Sequence, residues 1–146
     1  MTNFDEYRDV FVVADTIDDV VHPVTYELIG QARRIAKELG QLVQVMLLGE
    51  NVQAEAEELV AHGADIVHVF ESPLLKYYTT DGYTKVLTDF FEDHKPNILL
   101  IGATNNGRDL APRMSGRMQN GVVADCTILT VDTEEGLVEW TRPALG

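Results

Sequence analysis

The sequence predicts an α/β fold: a doubly wound, mainly parallel sheet with helices on both faces, closed by an antiparallel hairpin. Three observations predict it. Apolar runs rich in β-branched residues, at Val10–Val13 and at residues 42–48, 66–70 and 98–101, are too short for helices. The run at residues 98–101 is also unbroken, as in a strand buried on both faces. Between them lie stretches with apolar residues at helical spacing, so strand and helix alternate and the crossovers are right-handed.

The elements follow in order. Residues 1–8 are a polar lead-in, and the first strand ends in Ala14-Asp15. The segment Thr16-Ile-Asp-Asp-Val-Val-His-Pro23 is read as a loop. Pro23 and Thr25 suit a helix start, and Glu27 suits the positive end of its dipole. Leu28, Ile29, Ala32, Ile35, Ala36 and Leu39 make one apolar stripe, Arg33, Arg34 and Lys37 lie off it, and Gly40 stops the helix. After the second strand, Asn51 is read as the cap of a helix whose Val52, Ala56, Leu59 and Val60 face inward, closed by Gly63. A third strand leads through Ser72-Pro73 and Tyr77-Tyr-Thr-Thr80 to a helix built on Tyr83, Val86, Leu87, Phe90 and Phe91. Lys95-Pro96 ends it.

The run Ile98-Leu-Leu-Ile-Gly102 then gives a strand, a loop Ala103-Thr-Asn-Asn-Gly107 and a helix carrying Leu110, Ala111, Met114 and Met118. Pro112 lacks an N–H, which places the first regular turn of that helix near Asp109. Residues 122–129 are read as the fifth strand. Thr133-Glu-Glu-Gly136 is read as the turn of a closing hairpin.

With 146 residues, 45% apolar and 24% charged, the chain suits one domain over 1–146. Eleven basic against twenty-four acidic residues give a net charge of −13, which argues against nucleic acid or an anionic membrane as partner. The single cysteine, Cys126, excludes a disulfide framework. No run is long enough for a membrane span and no leader pattern opens the chain, so a cytoplasmic location is expected.

Little in the chain promises catalysis. His22, His62, His68 and His94 have no metal-ligand spacing, and Cys126 reads as an inert buried thiol. There is no nucleophile elbow, phosphate loop or catalytic carboxylate pair. The pairs Asp18-Asp19, Glu57-Glu58 and Glu134-Glu135 read as solvated acids. The candidate ligand-binding residues are Thr104, Asn105 and Asn106, because a loop after a parallel strand lies at the carboxyl edge of the sheet, where free helix N–H groups favour an anion. Gly102 and Gly107 fit a backbone cradle or simply a tight turn, and Asp109 fits a helix cap or a ligand contact. Arg108, Arg113 and Arg117 fit a partner interface or a solvated helix face.

Three segments together carry a resemblance. Gly102-Ala-Thr-Asn-Asn-Gly-Arg-Asp-Leu-Ala-Pro-Arg113, Gly121-Val-Val-Ala-Asp-Cys-Thr127 and Thr141-Arg-Pro-Ala-Leu-Gly146 resemble the α subunit of electron-transferring flavoprotein (ETF). The likeness runs through the whole chain in order, including the Glu27-Leu28 helix and the Gly63-Ala64-Asp65 turn. It implies a sandwich of the adenine nucleotide alpha hydrolase-like type and an electron-carrier subunit without catalysis of its own. The family's α subunit continues beyond Arg-Pro-Ala into a second domain that holds FAD. Because this chain stops at Gly146, with Leu145 where an aromatic is usual, the resemblance implies an N-terminal domain alone. FAD would then be held by the missing C-terminal domain and by the β subunit, and not by this chain.

The implied partners are the ETF β subunit and, through the complex, acyl-CoA dehydrogenase or another flavin dehydrogenase, in simple or electron-bifurcating transfer. Arg142 is the implied contact to a flavin in the β subunit; a salt bridge within the closing hairpin is its other reading. Related domains hold AMP at the loops after strands one and four, but the glycine spacing here departs from theirs. The competing expectation is a free-standing nucleotide-binding regulatory module of the universal-stress-protein type. A small hydrolase of the same superfold fails for want of a phosphate loop and a base.

Overall fold

The computed structural model describes residues 8–119, 126–132 and 137–141, with backbone alone at 119, 132 and 137–141. The elements are β1 (Val10–Val13), β2 (Thr16–Ile17), β3 (Val20–Val21), α1 (Val24–Leu39), β4 (Val43–Gly49), α2 (Gln53–Ala61), β5 (Ile66–Glu71), α3 (Thr80–Asp93), β6 (Ile98–Gly102), α4 (Asn105–Gln119), β7 (Thr127–Asp132) and β8 (Leu137–Thr141). A short 3-10 turn, Pro73–Leu75, precedes α3. One six-stranded sheet runs β5-β4-β1-β6-β7-β8. Its first five strands are parallel, and β8 pairs antiparallel with β7.

The apolar runs of the strands have a simple cause. Successive strand residues point to opposite faces, and helices cover both. Val10, Val12, Val43, Val45, Leu47 and Leu100 pack with Leu28, Ile29 and Ala32 of α1 and Leu59 of α2. Phe11, Val13, Met46, Leu48, Leu99 and Ile101 pack with Tyr83, Leu87 and Phe91 of α3 and Leu110 and Met114 of α4. The fold is therefore doubly wound, with a core on each side of the sheet. Gly40 ends α1 with φ 66°, a left-handed conformation that favours glycine.

Four local expectations are corrected. First, residues 16–21 form a β2–β3 hairpin, with Asp18 and Asp19 at φ 51° and 63°. Asp19 is not merely a solvated acid: its carboxylate accepts from Glu50 N at 2.8 Å and Asn51 N at 3.1 Å. Second, Asn51 does not cap α2. Val52 stands at that position without a side-chain cap, and Val60 is 53% exposed, so only Leu59 of the helix is buried. Third, α4 begins at Asn105 and not near Asp109. The Thr104 hydroxyl accepts from Gly107 N at 3.1 Å and Thr104 O from Arg108 N at 2.8 Å, which starts the helix early and leaves Pro112 inside it. Fourth, β7 begins at Thr127, so Cys126 precedes the strand. Residues 120–125 and the expected turn at 133–136 lie outside the described residues, as do Glu134 and Glu135.

Candidate functional site

The order of the parallel strands reverses between β1 and β6, which run side by side while their chains cross to opposite faces. In open α/β sheets that switch point leaves a crevice at the carboxyl edge. Here the crevice is about 600 Å³, lined by Asp15, Ile17, His22, Pro23, Val24 and Glu27 on one side and by Ala103, Thr104, Asn105, Asn106 and Val131 on the other.

Local structure explains each position. Asp15 follows β1, and its N–H donates to Thr25 Oγ1 at 3.0 Å. Thr104 follows β6, and its hydroxyl donates to the Asp15 carboxylate while accepting from Gly107 N. This one side chain therefore both caps α4 and ties the ends of β1 and β6 together. At the start of α1, Val24 N donates to His22 Nδ1 at 3.0 Å, so the ring proton is on Nε2, and Thr25 N donates to His22 O at 2.9 Å. The N–H groups of Val24 and Thr25 at the start of α1, and of Gly107 and Arg108 in the first turn of α4, are thus taken within the chain, and the expectation of free N–H groups awaiting an anion is not met at Gly107 or Arg108. The two glycines serve a tight turn: a Cβ on Gly107 would fall 1.7 Å from Gly102 O.

The lining carries the carboxylates of Asp15 and Glu27 and, among the described residues, no Lys or Arg. Two carboxylates with no neighbouring Lys or Arg in the lining repel a diphosphate. The residues of this crevice do not fit the diphosphate of FAD or of a nucleotide.

Thr104, Asn105 and Asn106 come together in the crevice, as the loop reading expected. Sequence reasoning missed Asp15, His22 and Glu27, which face them from the β1–α1 segment. Arg108 and Arg113 lie exposed on α4 with partners on different elements. Arg108 Nε donates to Ala103 O at 3.2 Å, and Arg113 Nη2 meets Asp81 Oδ1 of α3 at 2.7 Å. Arg117 is exposed in the last turn of α4. Arg142 lies outside the described residues.

Asp109 neither caps a helix nor faces the crevice. It accepts from Thr80 Oγ1 and from Tyr78 OH, the latter at 2.7 Å, joining α4 to the lead of α3. Those hydroxyls, Thr80 first, hold its carboxyl below the usual range, while burial pushes the Tyr78 phenol up. Cys126 is buried, and burial pushes its thiol up to about 12. Burial and then neighbouring His94 hold the His68 imidazole below its usual range. Among the described residues no three His, Cys, Asp or Glu gather as metal ligands, and no helix is long and apolar enough to cross a membrane.

These features define a doubly wound α/β domain whose crevice, at the carboxyl edge of the sheet, carries two carboxylates and no Lys or Arg in its described lining. A family model, the electron transfer flavoprotein domain, matches residues 10–146. The chain belongs to that family. It is 46% identical over 141 residues to the electron transfer flavoprotein subunit alpha of Megasphaera elsdenii, covering 97% of this chain and 42% of that protein. The lactate dehydrogenase (NAD(+),ferredoxin) subunit LctC of Acetobacterium woodii is 46% identical over 140 residues, 96% of this chain and 33% of its own length. The acryloyl-CoA reductase electron transfer subunit beta of Anaerotignum propionicum is 43% identical over 130 residues, 89% of this chain and 35% of its own. The chain thus spans less than half the length of these curated relatives. The comparisons favour the flavoprotein reading over the regulatory-module alternative.

Proposed function

We propose that residues 1–146 act as one α/β domain, the N-terminal scaffold of an electron transfer flavoprotein α subunit, working in the cytoplasm and catalysing nothing by itself. It pairs with a β subunit in flavin-mediated electron transfer from a dehydrogenase. Acyl-CoA dehydrogenase is one such donor; the names of two relatives point to a lactate dehydrogenase as another and to an acryloyl-CoA reductase as an enzyme that such a carrier serves. FAD is the cofactor of the assembly and is held outside this domain.

The observation that carries this reading is the chemistry of the crevice. In a family named for a flavin, the place where this fold ordinarily takes a nucleotide offers a diphosphate two carboxylates. A domain so built is suited to support a flavin-bearing neighbour. Asn105 and Asn106 then serve as amide contacts at the edge, Thr104 orders them, and Arg108, Arg113 and Arg117 lie on the partner-facing side of α4. Arg142 places a positive charge beside the flavin of the β subunit, which favours the reduced ring.

The test is a redox titration of the flavin in the reconstituted α–β complex. An Arg142→Ala complex should have a lower flavin potential than wild type, and an unchanged potential removes that role.

A further inference from the structure

Four large apolar side chains stand in solvent at one end of the sheet. Leu74 is 83% exposed, Val20 64%, Tyr77 60% and Ile17 58%, the highest values among the described large apolar residues. Ile17 and Val20 are register partners across the β2–β3 hairpin and so share one of its faces. Leu74 and Tyr77 belong to the 3-10 turn after β5 and the residues beyond it.

The two segments lie side by side. Lys76 reaches Asp18 at 3.5 Å and Glu50 at 3.9 Å. Beneath them the buried Tyr83 hydroxyl donates to Leu75 O at 2.9 Å and lies 3.3 Å from Thr16 Oγ1, whose own hydroxyl donates to Leu48 O.

The hairpin is also held in an unfavourable form. Its two turn residues are aspartates in the left-handed region, where a glycine or asparagine costs less. The two backbone hydrogen bonds accepted by Asp19 pin the turn to the segment after β4. Gly49 leaves the room for it, since a Cβ there would meet Asp19 Oδ1 at 2.7 Å. Strain kept in a hairpin that buries neither Ile17 nor Val20 marks a surface shaped for contact.

Charge selects the occupant. Asp18 and Glu50 rim the apolar tip, Lys76 is their one cation among the described residues and is shared between them, and Ile17 lines the crevice with Asp15 and Glu27. A second copy of this chain would bring the same carboxylates and a further −13. A partner whose apolar socket is ringed by Lys or Arg is complementary.

We propose that the β2–β3 tip and the 3-10 turn form the docking surface for such a basic-rimmed protein, which on the reading above is the β subunit. The inference rests on that pairing.

It is tested by calorimetric titration of the β subunit into the full chain, wild type and variants, with thermal melts to check folding. Val20→Lys and Leu74→Lys should each weaken binding tenfold or more. Val60→Lys, on the exposed side of α2, should leave it unchanged, and added salt should weaken wild-type binding. In hydrogen exchange of the wild-type complex, residues 16–21 and 73–77 should gain protection. If Val20→Lys and Leu74→Lys bind as tightly as wild type, or those segments gain no protection, the docking surface is wrong while the pairing stands. If the wild-type chain fails to bind, the pairing falls and takes the surface with it. Loss of a wild-type self-dimer in the variants, with β-subunit binding intact, assigns the tip to a second copy and overturns the proposal.

Discussion

Two glycines of α4 should respond to alanine with opposite signs. At Gly107 an added Cβ would sit 1.7 Å from Gly102 O and 2.9 Å from Gly102 C. A relaxed carbon–oxygen contact is about 3.3 Å, so the helix start and the strand end must part by roughly 1.5 Å. Both partners are backbone. Gly102 closes β6 and is paired with Val131, and Gly107 N is held by Thr104. Such overpacking costs about 1–3 kcal/mol and sometimes more, against about 1 kcal/mol returned by the better helix propensity of alanine. A clash this short belongs at the upper end, so the net loss is about 2 kcal/mol. At Gly116 nothing lies within 4 Å of the added atom and the site is exposed. Gly116→Ala should therefore gain about 0.5–1 kcal/mol.

For a chain of this length the shifts correspond to a Tm lower by about 6 °C at Gly107 and higher by about 1.5–3 °C at Gly116. Urea melts of the two variants against wild type measure the changes in stability, and thermal melts the changes in Tm. If Gly107→Ala were neutral or stabilising, the tight-turn account of the Gly102–Gly107 loop would be refuted.

Asp19→Ala leaves the N–H groups of Glu50 and Asn51 without their acceptor, and should lower stability by about 1–2 kcal/mol in the same urea assay. Asp109 and Glu71 both have carboxyls held below the usual range, Asp109 by the Thr80 and Tyr78 hydroxyls and Glu71 by the Gln53 amide and Val52 N–H. Their contribution is present above the unfolded carboxylate pKa of about 4 and is lost as pH falls through the lower folded values. The urea midpoint should therefore drop between about pH 5 and pH 2, and less steeply in Asp109→Asn. The Cys126 thiol, buried and pushed up to about 12, should resist a disulfide-exchange reagent in the native chain at pH 8 and react within seconds in denaturant.

The parts of the fold that were legible are those where one physical signal decides. In β1 and β4 the β-branched runs meet a doubly covered sheet, and in α1 the stripe from Leu28 to Ala36 coincides with the buried face. Where two signals compete, the reading slipped. Pro112 argued for a late start to α4, but the Thr104 cap, fastened to Asp15 across the sheet, sets it earlier. At Val60 the helical spacing is right, yet α2 packs through Leu59 and the partly buried Ala56, with Val52 buried just before it, and Val60 turns to solvent. The β2–β3 hairpin was legible in principle: Thr-Ile before Asp-Asp and Val-Val after it is a two-residue turn between β-branched pairs. Its strands of two residues fall below the length at which alternation speaks. Half of the crevice was visible in the loop after β6. The other half, Asp15, His22 and Glu27, is brought to it only by the adjacency of β1 and β6, which no local pattern encodes.

The central claim is that this domain supports a flavin it does not itself hold. Size-exclusion chromatography with flavin absorbance recorded on the eluting peak tests it directly, for the chain alone with added FAD and for the chain mixed with its β subunit. The account predicts a colourless peak for the chain alone and a larger flavin-bearing peak containing both polypeptides. A chain that retains FAD stoichiometrically by itself, or that never co-elutes with the β subunit, would contradict it.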